Sequence, residues 1–596
     1  ILIDTTRPEL LVSCCALVAH PDDARYQSLF NSTVRTPVFN VEVPVLPHPL
    51  AQPDKGTGIA MICTFGDLTD VIWWRELQLP TRAVIMRDGR LMSDTPEWVT
   101  DPKGIEAYAT IAGKYVNQAQ RGTVDLLRAN DEMIGEPKSI THPVKFYEKG
   151  DRPLEIVTSR QWYIRNGGRD ADLRAAMLKR GGEITWHPDY MQHRYTNWVE
   201  GLNGDWLISR QRYFGVPVPV WYRTDAEGNP DYDHPLVPEE SQLPIDPSTD
   251  VPAGFTESQR NIPNGFMGDP DVMDTWATSS LTPQIAGKWE DDADLFARVF
   301  PMDVRPQGHD IIRTWLFSTA VRSHFEHGVV PWKNAALSGW ILDPDRKKMS
   351  KSKGNVVTPI DLFDQYGSDA VRYWAASARP GVDTAFSEDQ MKVGRKLAMK
   401  LLNVSKFVLG FMDNASANAK VTEVVDHSML LRLGAVVDEA TAAFQSFDYA
   451  RALERTEQFF WWFCDDYVEL VKVRAYRGAD DTGAQSAVAA LNLALSALQR
   501  LFAPMLPFVT EEVWSWWQTG SIHSAPWPTS TELGATGEDI LGPVCEVLAV
   551  IRRAKTEAKT SQRTPVSNAT VTADAAYIAA VKLGQADLID AGTVEN

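Results

Sequence analysis

At about residue 385 the sequence changes character, and this change limits the folds that the chain can adopt. Between 270 and 380, short apolar runs alternate with segments of helical periodicity, as an α/β architecture requires. Beyond residue 385, apolar residues recur at helical spacing through 428–448, 450–475 and 485–503. The 596 residues are also too many for a single core. The sequence therefore predicts a multidomain α/β protein whose later part is an α-helical bundle.

The first helix of this bundle carries a start signal. Ser387-Glu-Asp-Gln390 is predicted to form a capping box, in which each end residue bonds to the backbone of the other. The aromatic run 459–463 offers rings that could stack on bases, but its place within a periodic helix favours packing in the bundle core.

Composition and charge exclude several classes of function. The net charge of −19 argues against indiscriminate nucleic-acid binding, although contact with RNA depends on local patches. The five cysteines form no Cys-x-x-Cys pair, so neither a zinc ribbon nor a disulfide framework is predicted. The sequence shows neither a basic signal-peptide start nor an apolar stretch long enough to span a bilayer. We therefore expect a cytoplasmic protein.

The loop at 346–354 concentrates positive charge in this acidic chain. Its cations are Arg346, Lys347, Lys348, Lys351 and Lys353. Ammonium groups neutralise charge on a polyphosphate, and small residues allow the backbone to approach it. For the charges alone, a solvated lysine loop is the alternative interpretation.

Four segments together carry a family resemblance. They are Trp206-Leu-Ile-Ser-Arg-Gln-Arg-x-x-Gly215, Asp271-Val-Met-Asp-Thr-Trp276, Gly308-His-Asp-Ile311 and Lys348-Met-Ser-Lys-Ser352. In order and approximate spacing they resemble the class I aminoacyl-tRNA synthetases, in the Ile/Leu/Val subgroup. Single motifs carry a risk of false positives, but collinear blocks make coincidence negligible.

Two further blocks extend the resemblance to residues 1 to about 530. Thr5-Thr6-Arg7-Pro8-Glu9 with Gly56-Thr57-Gly58 resembles the editing domain of the subgroup, and 502–514 resembles its anticodon-binding bundle. The resemblance implies an N-terminally incomplete editing domain at 1–135, of α+β, β-barrel-like form. It also implies the second half of a class I Rossmann-type catalytic domain, an anticodon-binding α-helical domain, and a tail or junction, at 136–385, 386–530 and 531–596.

Within the subgroup, Asp274-Thr275-Trp276 followed by Ser279-Ser280 is similar to the pattern of the valyl members. This implies ATP-dependent joining of L-valine to tRNA(Val), with Mg²⁺ accompanying ATP, in a monomer. Isoleucyl specificity is one alternative. The first class I signature, His-Ile-Gly-His, is absent from the sequence, so we expect a fragment whose Rossmann sheet lacks its opening strands. A non-catalytic tRNA-binding or editing-only protein is the second alternative.

The resemblance also assigns roles to individual residues of the activation site. It implies a catalytic lysine motif of Lys348, Ser350 and Lys351, in which the two lysines stabilise the leaving pyrophosphate. It implies an ATP-binding set of Gln307, Gly308, His309, Asp310 and Lys351. It implies an amino-acid pocket of Trp206, Asp271, Val272 and Trp276. No metal-binding set is predicted.

A second, hydrolytic site follows from the chemistry of valine. A pocket that excludes isoleucine by bulk cannot strongly reject threonine, which is nearly isosteric with valine. By resemblance the editing residues are Thr5, Thr6, Arg7, Lys55, Thr57, Asp67 and Asp70. Asp67 and Asp70 are three residues apart and would share one helix face, with Asp70 binding the α-amino group. The alternative is that Asp67 is an N-cap and Asp70 a surface acid.

Overall fold

A computed structural model describes residues 1–63, 68–138, 146, 154–350, 354–411 and 419–595. By internal contacts the chain divides into two units, Ile1–Gln161 and Trp162–Asn596. The two are described separately below.

Within the described part of residues 1–161, four strands form a mixed sheet. They are β1 (Cys14–Ala19), β2 (Thr33–Arg35), β3 (Glu42–Pro47) and β4 (Ile59–Cys63), in the order β2-β3-β1-β4. β1 runs parallel to β3 and antiparallel to β4, and all of its residues are buried. A central strand covered on both faces reads as a continuous apolar run, which Cys-Cys-Ala-Leu-Val-Ala is.

Three helices follow this sheet and complete its core. They are α1 (Leu68–Glu76), α2 (Pro102–Ala109) and α3 (Val116–Ala129). Asp101 caps α2 by accepting the Gly104 N–H, and Pro102 occupies the first turn, where its missing N–H costs nothing. Tyr108 and Ile111 pack with Leu17, Phe39 and Val43 in one apolar cluster. The predicted α+β character of this region is confirmed.

Residues 162–387 contain short strands and helices. The strands are β5 (Tyr163–Ile164), β6 (Thr185–His187), β7 (Trp206–Leu207), β8 (Ser209–Arg210), β9 (Trp221–Arg223), β10 (Phe266–Gly268), β11 (Val272–Met273), β12 (Met302–Gly308), β13 (Trp332–Ser338), β14 (Ile341–Leu342) and β15 (Thr384–Ala385). The helices are α4 (Ala171–Glu183), α5 (Gln192–Glu200), α6 (Thr275–Ser279), α7 (Thr282–Ala286), α8 (Ala293–Val299), α9 (Phe317–His327), α10 (Ile360–Tyr366) and α11 (Ser368–Ala376).

Three of these strands form the parallel sheet that the α/β pattern predicts. Where the structure describes the chain, their order is β12-β13-β6, and both pairings are parallel. Trp186 of β6 and Ala335 and Leu337 of β13 pack against helical residues that include Tyr195 and Phe317. The sheet therefore places the carboxyl ends of β12 and β13 side by side.

The bundle is helical, as predicted, with helices of 8 to 22 residues. They are α12 (Glu388–Leu409), α13 (Val424–Gln445), α14 (Tyr449–Trp462), α15 (Val468–Ala475), α16 (Thr482–Phe502) and α17 (Pro507–Trp514). The Ser387 side chain caps α12 by accepting the Gln390 N–H, which confirms the predicted start, but the described contacts include no return bond from the Gln390 side chain to the Ser387 backbone. Phe459, Phe460 and Phe463 belong to the bundle core, which confirms the packing interpretation of the aromatic run.

Three more helices follow in the segment predicted as a tail: α18 (Leu541–Glu557), α19 (Ala575–Leu583) and α20 (Gln585–Gly592). Leu541, Leu548 and Leu588 extend the bundle core into this segment. The domain boundaries given above stay predictions. No helix in the described residues is long and apolar enough to cross a membrane.

Candidate functional site

The predicted nucleotide turn lies at the carboxyl end of β12. A Cβ atom at Gly308 would lie 2.8 Å from Asp310 Oδ1, so the Asp310 side chain folds back over the turn. His309 is buried, whereas Asp310 is exposed to solvent. In open α/β sheets, ligands bind at the carboxyl ends of parallel strands, which is where this turn stands.

The ring of His309 is held from two sides. Its Nε2 lies 3.3 Å from Asp383 Oδ1, and its Nδ1 lies 3.3 Å from a guanidinium nitrogen of Arg194. An arginine can only donate, so Nδ1 accepts and the ring proton is on Nε2, directed at Asp383. Neither Asp383 nor Arg194 was predicted from the sequence, because each lies far along the chain from the turn.

Polar groups without partners line the end of β12. Gln307 is buried, yet neither its Oε1 nor its Nε2 has a hydrogen-bond partner among the described residues. Arg305, two residues earlier on the strand, has an unpartnered Nε, and its guanidinium carbon lies 3.1 Å from the centroid of the Trp315 ring. Burial lowers the pKa of Arg305 to about 10. An unsatisfied buried amide costs about 1–3 kcal/mol, so a ligand that bonds to Gln307 would be stabilised there.

The base of the lysine-motif loop is fixed by Asp343 and Asn355, which we call the lysine-motif clasp. Asn355 donates to Asp343 Oδ2 at 2.8 Å and accepts the Ser350 N–H at 2.9 Å, and its amide nitrogen lies 3.3 Å from Lys348 O. Asp343 Oδ1 accepts the Lys347 N–H at 2.7 Å. The predicted residues Lys348 and Ser350 are thus held by their backbone, while Lys351 lies outside the described residues.

The predicted amino-acid pocket residues come together around Asp274. Asp274 Oδ2 accepts hydrogen bonds from Trp206 Nε1 at 3.2 Å and from Arg210 at 2.7 Å, and Oδ1 accepts the Trp276 N–H. β8 pairs with β11, so Val272 lies opposite Arg210, and Asp271 accepts a 3.0 Å bond from Gln211. Asp274 was not predicted as a site residue, although an aspartate just before Thr275-Trp276 is a recognisable N-cap.

Two of the predicted editing segments adjoin in residues 1–161. A Cβ atom at Gly56 would lie 3.4 Å from Asp4 Oδ2, so the loop that carries Lys55 and Thr57 reaches the segment that carries Thr5 and Thr6. Tyr26 fixes this loop by donating to Thr57 O at 2.7 Å. Thr5, Thr6 and Lys55 are exposed, and Thr57 is half-buried.

Arg7 is oriented by two carboxylates. It donates to Glu9 Oε1 and, at 2.9 Å, to Glu155 Oε2. Glu9 is fully buried, its Oε2 has no partner in the described residues, and burial raises its pKa against the opposing effect of Arg7. Glu9 was not predicted as a site residue, and only its place inside the Thr-Thr-Arg-Pro-Glu motif could have indicated it.

Asp70 lies in the first turn of α1 and is buried. The pKa of the nearby Cys63 thiol is raised by its hydrogen bond with Cys14, then by burial, and also by the charge of Asp70. Asp70 therefore stands near the end of β4 rather than at the surface, contrary to the surface-acid alternative. Asp67 lies outside the described residues.

The described residues contain no cluster of three or more His, Cys, Asp or Glu side chains placed to hold a metal ion. Their carboxylates act instead as acceptors for arginine, tryptophan and backbone N–H groups, as at Asp274 and Asp343.

Comparison with known proteins identifies two families along the chain. A family model described as tRNA synthetases class I (I, L, M and V) matches residues 30–387. A model described as the anticodon-binding domain of tRNA ligase matches residues 426–571.

Curated relatives match the whole chain. A valine--tRNA ligase of Thermobifida fusca is 64% identical over 600 residues, which cover 100% of this chain and 68% of that protein. A valine--tRNA ligase of Cutibacterium acnes is 60% identical over 599 residues, covering 100% and 69%. One of Bifidobacterium longum is 52% identical over 623 residues, covering 100% and 68%. The chain belongs to the valine--tRNA ligase family of class I tRNA synthetases.

Proposed function

We propose that the protein joins L-valine to tRNA(Val) through a valyl-adenylate formed from ATP, and hydrolyses threonyl-tRNA(Val) at a second site. The observation that carries this proposal is that the Gly308 turn and the lysine motif meet at Trp340. The Trp340 ring centroid lies 4.9 Å from that of His309 and 4.0 Å from Lys348 Nζ. The names of the relatives support valine as the amino acid.

In the activation step, the valine carboxylate attacks the α-phosphate of ATP and pyrophosphate leaves. Catalysis of this kind rests on positioning and on stabilising charge as it develops. We assign Lys348 and Lys351 to the leaving pyrophosphate, and Asp310, which is exposed beside the turn, to the ribose hydroxyls. The unpartnered amide of Gln307 supports its assignment to the nucleotide. Mg²⁺ enters this proposal with the ATP phosphates, as part of the substrate.

The amino-acid pocket explains why a second site is required. Trp206, Val272 and Trp276 offer bulk against isoleucine, and Asp274 fixes both tryptophans through the Trp206 indole N–H and the Trp276 backbone. Threonine is nearly isosteric with valine, and valine-specific synthetases are themselves the standard example of the resulting limit on selectivity.

The second site lies in residues 1–161. Asp70 is proposed to bind the α-amino group of the threonyl ester, with Thr5, Thr6 and Arg7 on one side and Lys55 and Thr57 on the other. The closeness of Gly56 to Asp4 supports this grouping, because it places the two segments side by side. We propose that a positioned water carries out the hydrolysis, that Asp67 contributes to recognition, and that the helical bundle contacts the anticodon arm of tRNA(Val).

Two variants, made in the full-length protein, test the two proposed sites separately. Each should impair one reaction and leave the other unchanged. Lys351→Ala should slow valine-dependent pyrophosphate exchange by roughly a hundredfold or more and leave threonyl-tRNA(Val) hydrolysis unchanged. Asp70→Ala should do the reverse, because it removes only the contact with the α-amino group.

The same assays decide between the alternatives. Faster exchange with isoleucine than with valine would indicate isoleucyl specificity. Hydrolysis without exchange for any amino acid would indicate an editing-only protein. Unchanged threonine hydrolysis in Asp70→Ala would refute the editing assignment.

A further inference from the structure

Trp340 occupies the space between the two predicted ATP-binding motifs. One neighbour is the buried ring of His309, tilted by 43° at a centroid separation of 4.9 Å. Another is the ammonium group of Lys348, 4.0 Å from the centroid of the indole ring. The indole Nε1 is buried and has no hydrogen-bond partner among the described residues. The ring therefore touches one side chain from each motif.

Asp383 fixes Trp340 and His309 at the same time. Its Oδ1 accepts the Trp340 backbone N–H at 2.8 Å and lies 3.3 Å from His309 Nε2. These bonds keep the pKa of Asp383 below its usual value, the Trp340 N–H contributing most. A charged carboxylate is thus the acceptor that both groups share.

The backbone makes this arrangement rigid. Thr384 N donates to Trp340 O at 2.8 Å, and Phe386 N donates to Leu342 O at 2.9 Å, so the parallel pairing of β14 with β15 begins at Trp340 itself. A Cβ atom at Gly339 would lie 2.2 Å from the carbonyl carbon of Val382. Only glycine permits this approach, and the approach sets the distance between Trp340 and Asp383.

We propose that Trp340 and Asp383 are positioning residues of the ATP site, which hold Lys348 in register with the His309 turn before the triphosphate binds. The inference rests on the proposed function and adds these residues to it. A free lysine side chain loses considerable rotamer entropy when it must meet a phosphate. A cation–π contact restricts the side chain beforehand, and the ammonium group can leave the ring for the phosphate without breaking a salt bridge. No carboxylate pairs with Lys348 in the described residues.

Steady-state pyrophosphate exchange tests the positioning role. Trp340→Leu should lower kcat/KM for ATP by roughly two- to fivefold, the range for a cation–π contact of an exposed lysine, and should leave KM for valine unchanged. Trp340→Phe should restore part of this loss, because it keeps an aromatic face. Asp383→Ala should lower kcat/KM for ATP in the same way, and Asp383→Asn should lower it less, because an amide oxygen can still accept the Trp340 N–H.

Trp289→Leu is the matched control. Trp289 also packs against a histidine ring, that of His327 at 5.4 Å, but no lysine of the described residues lies over it. We expect the kinetic constants of Trp289→Leu to match those of the wild type. Equal effects of Trp340→Leu and Trp289→Leu, or an effect of Trp340→Leu on valine as large as that on ATP, would overturn the proposal.

Lysine reactivity provides a second measurement that needs no catalysis. Mild acetylation followed by mass spectrometry gives the reactivity of Lys348 relative to Lys347, whose ammonium group lies 3.7 Å from Asp345 instead. Trp340→Leu should raise this ratio, and an unchanged ratio would overturn the proposal. A raised ratio in a protein without valine-dependent exchange would refute the proposed function and leave the positioning of Lys348 intact.

Discussion

Two polar clusters in residues 162–596 are built in opposite ways. The lysine-motif clasp joins Asp343 to Asn355, twelve residues apart, and most of its bonds go to backbone groups. The cluster around Arg474 instead joins side chains. Arg474 bonds to Asp426 at 2.8 and 2.9 Å and to Asp587, 113 residues away, at 2.8 and 3.0 Å.

The two clusters differ less in burial: Asp343 of the clasp is buried and Asn355 half-buried, whereas the second cluster is buried throughout. Asp426 has no exposed surface, Arg474 is 5% exposed, and Tyr467 and Ser486 also bond to Asp426 at 2.7 and 2.6 Å. We call these residues and Asp587 the Arg474 cluster. Burial alone would lower the pKa of Arg474, but the bonds and charges of Asp426 and Asp587 raise it. The Arg474 cluster therefore holds helices together, whereas the lysine-motif clasp sets the local geometry of a loop.

The largest effect is expected from breaking the Arg474 cluster. Arg474→Met leaves two carboxylates buried without their cation, which should lower the free energy of unfolding by about 3–5 kcal/mol. Urea unfolding followed by circular dichroism measures the loss. Valine-dependent exchange at low temperature should persist, because no residue of the cluster is among those proposed for the activation site.

Arg477→Met is the control on the same side of the bundle. Arg477 pairs with Asp590 of α20, but its side chain is 42% exposed. Such a pair contributes less than about 1 kcal/mol. A loss in Arg474→Met no larger than that in Arg477→Met would contradict the distinction between buried and exposed networks.

The same comparison predicts a dependence on pH. Burial raises the pKa of Asp587, against the lowering effect of Arg474. A carboxyl group with a raised folded-state pKa favours folding below its unfolded pKa, and this contribution is lost as the pH rises through the folded-state value. Without Arg474 the pKa rises further, so Arg474→Met should cost more stability at pH 7.5 than at pH 5.0. Urea unfolding at both values checks this, and an equal loss would contradict it.

The smallest effect on stability, with a clear effect on activity, is expected at the clasp. Asn355→Leu removes the bonds to Asp343 and to the Ser350 N–H, so Lys348 is no longer held at its backbone. We expect an unchanged melting temperature and a roughly ten- to hundredfold loss of exchange activity.

The clasp should also differ from the Arg474 cluster in its response to pH. The Asn355 amide, followed by the Lys347 N–H, lowers the pKa of Asp343. The contribution of such a group is present above its unfolded pKa and is lost only as the pH falls through the lowered value, below about 4. The factor by which Asn355→Leu lowers exchange activity should therefore be equal at pH 7.5 and pH 6.0. A pH-dependent loss, or a lowered melting temperature, would place Asn355 among the stabilising residues.

The parts of this protein that sequence predicted are those fixed by local patterns. Apolar periodicity and the Ser387 cap predicted the bundle, and the short apolar runs predicted the parallel sheet. The Trp206 and Asp271 segments adjoin as their shared pocket requires, through the pairing of β8 with β11. The helices α18 to α20 were missed, although Leu541, Val544, Leu548 and Ile551 recur at helical spacing along α18 and are buried.

The residues that sequence missed depend on contacts between distant positions. Asp383 meets His309 across 74 residues, and Asp587 meets Arg474 across 113. The residues around an aspartate do not indicate its partner, because many different folds could bring either of two distant residues next to it.

The sequence by itself determined the division into an α/β part and a helical bundle and the concentration of positive charge in the lysine motif, since both depend on residues close together in the chain. Tertiary structure decided that the ammonium group of Lys348 contacts the Trp340 ring rather than a carboxylate. It also decided that Asp274 bonds to both tryptophans of the predicted amino-acid pocket. The physical reason is that a side chain finds its partner only after packing has fixed the distance between the elements that carry the two groups.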